Sequence, residues 1–298
     1  MISLEDAFNK FLGRLELTAN EQKDVSNRHT QVRVVVRDGI AVERDILTGS
    51  YKRHTKTKPL KDVDIFFILK ESERAWLDQH PDDLLRHVKK ILENGLDGVG
   101  VSLGRRSVKV DFGIVAVADM TDEQVMSVDV VPAFADGADF LIGDRNSGEW
   151  MKTNPEVHAE LAIDANSAYG GRWKALVRMI KKWNDHQGKP VKPSFLLEVM
   201  ALGILDRGFG GHYSLELQTF FNTAAERIEE QWADPAGLGA PVSDRLESDP
   251  SQRQAAANEL RRAGESVVRA RLLANQGKNG EALRVWRDDV FGPLFPLS

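Results

Sequence analysis

The sequence predicts an α+β protein: a mixed β-sheet with helices against it, followed by a mostly helical second half. Three observations carry this. Runs of β-branched and aromatic residues recur between Val42 and Phe134, several alternating with polar residues as strands do. From about residue 154 the apolar residues fall instead at helical spacing. Between these regimes of pattern, one apolar run, Ile65 to Leu69, is entered through two acidic positions, Asp62 and Asp64.

Taken in order, residues 5–17 place Ala7, Phe8, Phe11, Leu12 and Leu15 on one helical face. Asn20 is positioned to cap a second helix, with Glu21 and Asp24 in its first turn. Val32 to Val36 suits a strand by propensity. Val42 to Leu47 reads as a short strand, and residues 82–94 as a helix with Leu84, Leu85, Val88, Ile91 and Leu92 inward. Three further strands are expected at 98–103, 107–115 and 127–134. In the second half, Trp173, Leu176, Val177, Ile180 and Trp183 form one stripe, and Phe195 to Leu205 is apolar nearly all round, which predicts a central helix. Helices over 214–232, 250–275 and 279–290 follow, with a loop at 233–249.

Composition narrows the function classes. A chain of 298 residues buries roughly 75% of its extended surface, so it needs no covalent staples. It has no Cys, which excludes disulfides and thiolate metal sites and fits a reducing compartment. The N-terminus lacks a basic region followed by an apolar core, and no apolar run approaches membrane-spanning length; a cytoplasmic protein without a membrane partner is expected. A net charge of −5 argues against a broad nucleic-acid-coating surface. The seven His residues are scattered and suggest no zinc site.

The chemistry concentrates between Thr48 and Leu69. Gly49 allows close backbone approach, and Ser50 adds a donor. Asp62 and Asp64 point to the same side of a strand, where two like charges repel unless a cation compensates. Mg²⁺ favours such carboxylates together with substrate phosphates. A bare Asp-x-Asp or a lone Gly-Ser is usually incidental. Gly-Ser, a basic connection and then Asp-x-Asp opening an apolar strand is far more specific.

This order resembles the signature of the polymerase-β-like nucleotidyltransferases, and within them the bacterial branch related to cyclic GMP-AMP synthase and oligoadenylate synthase. The resemblance implies a catalytic lobe over 1–135, with N-terminal bridging helices, and a helical lobe over 136–298 that completes a nucleotide-binding cleft. It implies a long helix through Val32–Val36 instead of a strand. By resemblance, Gly49 and Ser50 hold the donor triphosphate, and Asp62 and Asp64 hold two Mg²⁺ ions, with Mn²⁺ as a substitute.

Two-metal phosphoryl transfer usually calls on a further carboxylate. Asp111 and Asp129 both lie on candidate strands. The run Val128-Asp129-Val130-Val131-Pro132-Ala133-Phe134 resembles the family's third-carboxylate strand, so Asp129 is favoured. Asp111 is then a water-facing strand residue or a partner to the site. Lys174, Arg178 and Lys181 share a helix face opposite the apolar stripe, ordinarily a solvated face. Leu176 to Trp183 resembles the family's triphosphate-binding helix, which implies roles for Arg178 and Lys181, and Ser194 matches a further phosphate-binding Ser. Lys52, Arg53 and Lys56 are weaker candidates.

The expected function is therefore a synthase that joins nucleoside triphosphates into a cyclic di- or trinucleotide, in bacterial anti-phage signalling, with a separate effector protein reading the product and no DNA or RNA activator. The rivals are transfer to another acceptor, an RNA 3′ end or a protein hydroxyl, and a catalytically silent nucleotide-binding scaffold. The short chain argues against the first and the intact carboxylates against the second.

Overall fold

Helix α1 (Leu4–Leu15) starts at Ser3, whose hydroxyl accepts from the Asp6 N–H. In the computed structural model, residues 2–58, 60, 62–113 and 127–298 are described. Helix α2 (Ala19–Gly39) is capped by Thr18, not Asn20, through a reciprocal capping box with Glu21. It runs through Val32–Val36, because Val25, Val32 and Val36 form one buried helical face and the capping box sets the helix going well before them. Strand β1 (Val42–Thr48) runs into the short helix α3 (Gly49–Arg53), so the expected Gly-Ser turn is the opening of a helical turn. Strand β2 (Asp62–Leu69), a 3₁₀ stretch at Glu71–Asp78 and helix α4 (Pro81–Gly95) follow.

Strands β3 (Gly100–Leu103), β4 (Val108–Asp111) and β5 (Ser127–Asp136) match the three expected segments, with shorter bounds for the first two. Ile114 and Val115, at the end of the expected 107–115 strand, lie outside the described residues. Two strands were not anticipated: β6 (Asp139–Asp144) and β7 (Glu149–Thr153). The remaining helices are α5 (Pro155–Ala168), α6 (Trp173–His186), α7 (Phe195–Ile204), α8 (Tyr213–Arg227), α9 (Asp244–Glu247), α10 (Pro250–Asn275) and α11 (Asn279–Val285). A π-helical turn, Trp286–Phe291, continues α11.

The chain divides into two compact units. One comprises residues 17–54 and 59–159; the other comprises 1–16, 55–58 and 160–298. The division falls within α5, not at the expected 135/136, because β6 and β7 extend the sheet of the first unit. The N-terminal helices divide as well: α1 belongs to the helical unit and α2 to the sheet unit.

In the sheet unit the described strands are ordered β1-β2-β5-β4-β3, with β6 pairing β5 and β7 pairing β6. Among the described strands only β2 and β5 run parallel. One sheet face presents Val63, Ile65, Phe67, Val108, Val110, Val128 and Val130 to α2 and α4. On the opposite face Phe66, Ile68, Val131 and Ala133 meet Phe140 and Ile142, with Ile46 and Met151 packed against them. The earlier positions of β2 and β5 on that face are polar: Asp62 and Asp64, Ser127 and Asp129. The pattern therefore changes along β2 from alternating to fully buried.

The helical unit is built around α6 and α7. Trp173, Leu176, Val177, Ile180 and Trp183 are all buried, as are Leu196, Leu197, Val199, Met200 and Ala201. Phe8 and Phe11 of α1 join this core against Trp286, Phe291 and Phe295.

Candidate active site

The acidic residues are arranged by strand register. Asp64 pairs with Thr48 on β1 and with Asp129 on β5, and Asp129 pairs with Lys109 on β4. Paired residues share a face, so Thr48, Asp64, Asp129 and Lys109 make one row across the sheet. The adjacent row on the same face holds Asp62, Ser127 and Asp111. Asp62 is exposed, while Asp64 and Asp129 are half-buried.

Gly49 is shaped around Asp64. Its φ is +64°, a left-handed conformation that glycine adopts without strain, and a Cβ built there would stand 1.8 Å from Asp64 Oδ2. The glycine is thus required by the carboxylate beside it. Ser50 follows within α3, half-buried.

Asp129 has the electrostatics of a crowded anion. Burial pushes its carboxyl upward from the ordinary value, and the Asp62 charge pushes the same way, against a hydrogen bond from Ser107 and the nearby Lys109. Ser107 Oγ donates to Asp129 Oδ1 at 3.2 Å. Asp111 differs: it is exposed, and its Oδ1 accepts from the Gly113 N–H at 2.9 Å, a turn-closing contact.

On the helical unit Lys181 and Arg178 already hold carboxylates. Lys181 is 5% exposed and ion-paired to Glu198, which also accepts from Thr55 Oγ1 at 2.7 Å. Arg178 bonds Glu16 at 3.2 Å, and Lys182 donates to the Lys58 carbonyl at 3.1 Å. Lys174 has its ammonium pushed below its ordinary value by burial and by Arg178. Ser194 is exposed at the start of α7, and its side chain makes no capping bond there. Of the weaker candidates, Lys52 is exposed, Lys56 half-buried and Arg53 buried.

A family model described as the Second Messenger Oligonucleotide or Dinucleotide Synthetase (SMODS) domain matches residues 2–166, more than half of the chain. The chain belongs to the SMODS family. It is accordingly a nucleotidyltransferase, and its fold is that of the polymerase-β-like enzymes. The cyclic AMP-AMP-AMP synthase of an Acinetobacter strain is 26% identical, over all of this chain and 87% of its own length. Among solved structures, Escherichia coli CdnC with ATP superimposes with a TM-score of 0.72 at 17% identity, covering 99% of each chain. Vibrio cholerae DncV, a cyclic AMP-GMP synthase captured with a linear intermediate, also gives 0.72, at 14% identity, covering 95% of this chain and 93% of its own.

Members of this family generally need a divalent metal ion, and the sheet residues fit one. Asp129 is raised partly by Asp62, so the two carboxylates repel across the strand pair, and a cation relieves that repulsion. Among the described residues, no three His, Asp or Glu side chains form a ready-made cage. Mg²⁺ rarely uses one; it combines one or two carboxylates with water and substrate phosphates.

Sequence reasoning missed Ser107, Glu198 and Thr55. Glu198 carried a signal, since it is an acidic residue in the apolar helix at 195–205, where a buried charge demands a partner. Ser107 and Thr55 carried none, because their partners are distant in the chain.

Proposed function

We propose that this chain joins nucleoside triphosphates into a cyclic di- or trinucleotide second messenger. The observation that carries the reading is the direct register opposition of Asp64 and Asp129 on the one parallel strand pair, with Asp62 in the next row and Gly49 opened to admit the Asp64 carboxylate. On this reading Asp62, Asp64 and Asp129 hold two Mg²⁺ ions, which supply Lewis-acid stabilisation of the phosphates and lower the pKa of the attacking hydroxyl. On the same reading Gly49 and Ser50 hold the donor triphosphate, and Arg178, Lys181 and Ser194 bind its phosphates.

A ribose hydroxyl attacks the α-phosphorus of a second nucleotide. The new P–O bond forms as the bond to the β-phosphate oxygen breaks, pyrophosphate leaves, and the hydroxyl proton passes by way of Asp129 to water. The linear product rebinds, and the same step closes the ring. Lys181 must exchange Glu198 for phosphate to take part. Free nucleotides suffice as substrates, no DNA or RNA activator is needed, and a separate effector protein reads the product in anti-phage signalling in the cytoplasm.

The test is to incubate the chain with all four nucleoside triphosphates and Mg²⁺ and identify the product by mass spectrometry, with and without duplex DNA and RNA. A cyclic product formed from nucleotides alone is expected. Transfer only to an added RNA end or protein would overturn the reading.

A further inference from the structure

Asp129 is held by a hairpin turn that has a buried anchor of its own. The turn runs Gly104-Arg105-Arg106-Ser107 between β3 and β4 and is closed by the Gly104 N–H donating to the Ser107 carbonyl at 2.8 Å. Asp144, at the end of β6 and only 2% exposed, grips it. Arg105 Nε and Arg106 Nε each donate to the Asp144 carboxylate at 2.9 Å, and the Arg145 N–H donates to the Arg105 carbonyl at 3.1 Å. The Asn146 N–H adds a bond to Asp144 Oδ1 at 3.1 Å. A single buried carboxylate thus joins two successive side chains of the turn to the end of a different strand.

The turn delivers one group to the acidic row. Ser107 follows the two arginines, and its hydroxyl donates to Asp129 Oδ1. Gly104 leaves room for this: a Cβ there would come to 2.8 Å from Ser107 Oγ and 3.1 Å from the Ser107 carbonyl oxygen. A carboxylate with one oxygen engaged has its rotation restricted and its other oxygen left to a ligand. Groups that orient a metal ligand in this way typically affect metal affinity as well as turnover.

We infer that Ser107 is a positioning residue for Asp129, and that Asp144, through Arg105 and Arg106, holds Ser107 in place. The inference rests on the reading of Asp129 as a metal ligand. It predicts that the orientation of Asp129 depends on a carboxylate that touches neither metal nor substrate.

The experiment compares Ser107→Ala, Ser107→Thr, Gly104→Ala, Asp144→Asn and Asp129→Asn in the full chain. Each is measured for kcat, nucleotide KM and Mn²⁺ affinity, the last by electron paramagnetic resonance in the presence of α,β-methylene ATP. Ser107→Ala is expected to lower kcat and Mn²⁺ affinity by about ten- to a hundredfold, with KM changed less than about twofold. Ser107→Thr, which keeps the hydroxyl, restores both. Gly104→Ala keeps Ser107 but displaces its hydroxyl and reproduces the loss, which covers the case of Ser107→Ala failing to fold. Asp144→Asn moves both quantities in the same direction by less. Ser107→Ala at wild-type kcat and Mn²⁺ affinity, with Asp129→Asn inactive, overturns this inference and leaves the site reading intact. A Thr no better than Ala overturns it too. Full activity in Asp129→Asn removes both.

Discussion

The acidic and basic residues assigned to this enzyme are built in opposite ways. On the sheet unit, burial and then the neighbouring Asp62 charge raise the cost of ionising Asp129. On the helical unit, Lys181 and Arg178 already hold the carboxylates of Glu198 and Glu16. The first arrangement stores repulsion that a cation relieves on arrival. The second has neutralised its charges in advance, and on the proposed reading a phosphate would have to compete with Glu198 for Lys181. Metal binding should therefore stabilise the sheet unit outright, whereas phosphate binding to α6 should show only as a difference between two partners.

The largest effect expected is at the acidic pair. Asp62→Asn together with Asp64→Asn should abolish Mg²⁺-dependent synthesis, by roughly a thousandfold or more, with circular dichroism unchanged and the melting temperature level or higher in the absence of metal. Near-normal synthesis would break the comparison at its first term. Asp129→Asn should also lose about a thousandfold in product formation, while Asp111→Asn, which lies in the neighbouring row and closes a turn, stays within a few-fold of wild type. The reverse ranking would move the third carboxylate to Asp111.

Next is the helical unit. Lys181→Ala takes the ammonium of its ion pair away from the buried Glu198 carboxylate, and should lower unfolding stability by about 3–5 kcal/mol in urea denaturation. Lys181→Met combined with Glu198→Gln removes both charges and should recover most of that loss. If Lys181 also meets phosphate, the double variant should still show a nucleotide KM raised about ten- to a hundredfold. A normal KM would confine Lys181 to the Glu198 pair.

The smallest effect concerns Asp144. Burial alone would raise its carboxyl, but hydrogen bonds from Arg105, Arg106 and the Asn146 N–H outweigh that and hold it down at about 2, against an ordinary value of 3.8. The unfolded chain binds this proton more readily than the folded one. The contribution is therefore complete above about pH 4 and is lost as pH falls towards about 2. Asp144→Asn should flatten the fall of the urea midpoint across that window, and an unaltered pH profile would count against the anchor.

Much of the sheet was legible because its strands are strong ones. Ile65 to Leu69 and Val128 to Phe134 could hardly be anything else, and two acidic residues at the mouth of such a run stood out. What was not legible was register: that Asp64 faces Asp129 and not Ser127 is decided by a parallel pairing that no local pattern encodes. Local propensity misled at Val32–Val36, where three successive valines favour a strand, but the Thr18–Glu21 box and the spacing of Val25, Val32 and Val36 favour α2. Strands β6 and β7 were overlooked because each holds a single β-branched residue, Ile142 and Thr153, although Asp136-Gly137, with Gly137 at φ +65°, marks the hairpin between β5 and β6. The helical half gave up its core readily, and its short α9 was hidden in an expected loop.

The parallel pairing of β2 with β5 has a kinetic consequence. A hairpin zips from its turn, but these two strands are separated in sequence by α4, β3 and β4, and their union closes a long loop before any contact rewards it. The acidic row of Asp64 and Asp129 therefore cannot form on a growing chain until β5 has been synthesised, and it should be among the later features to order during refolding. A fragment ending before Ser127 would carry the whole Gly-Ser and Asp-x-Asp signature and still have no third carboxylate to set beside it. For an enzyme whose product is a signal, such a folding order keeps half-made molecules silent.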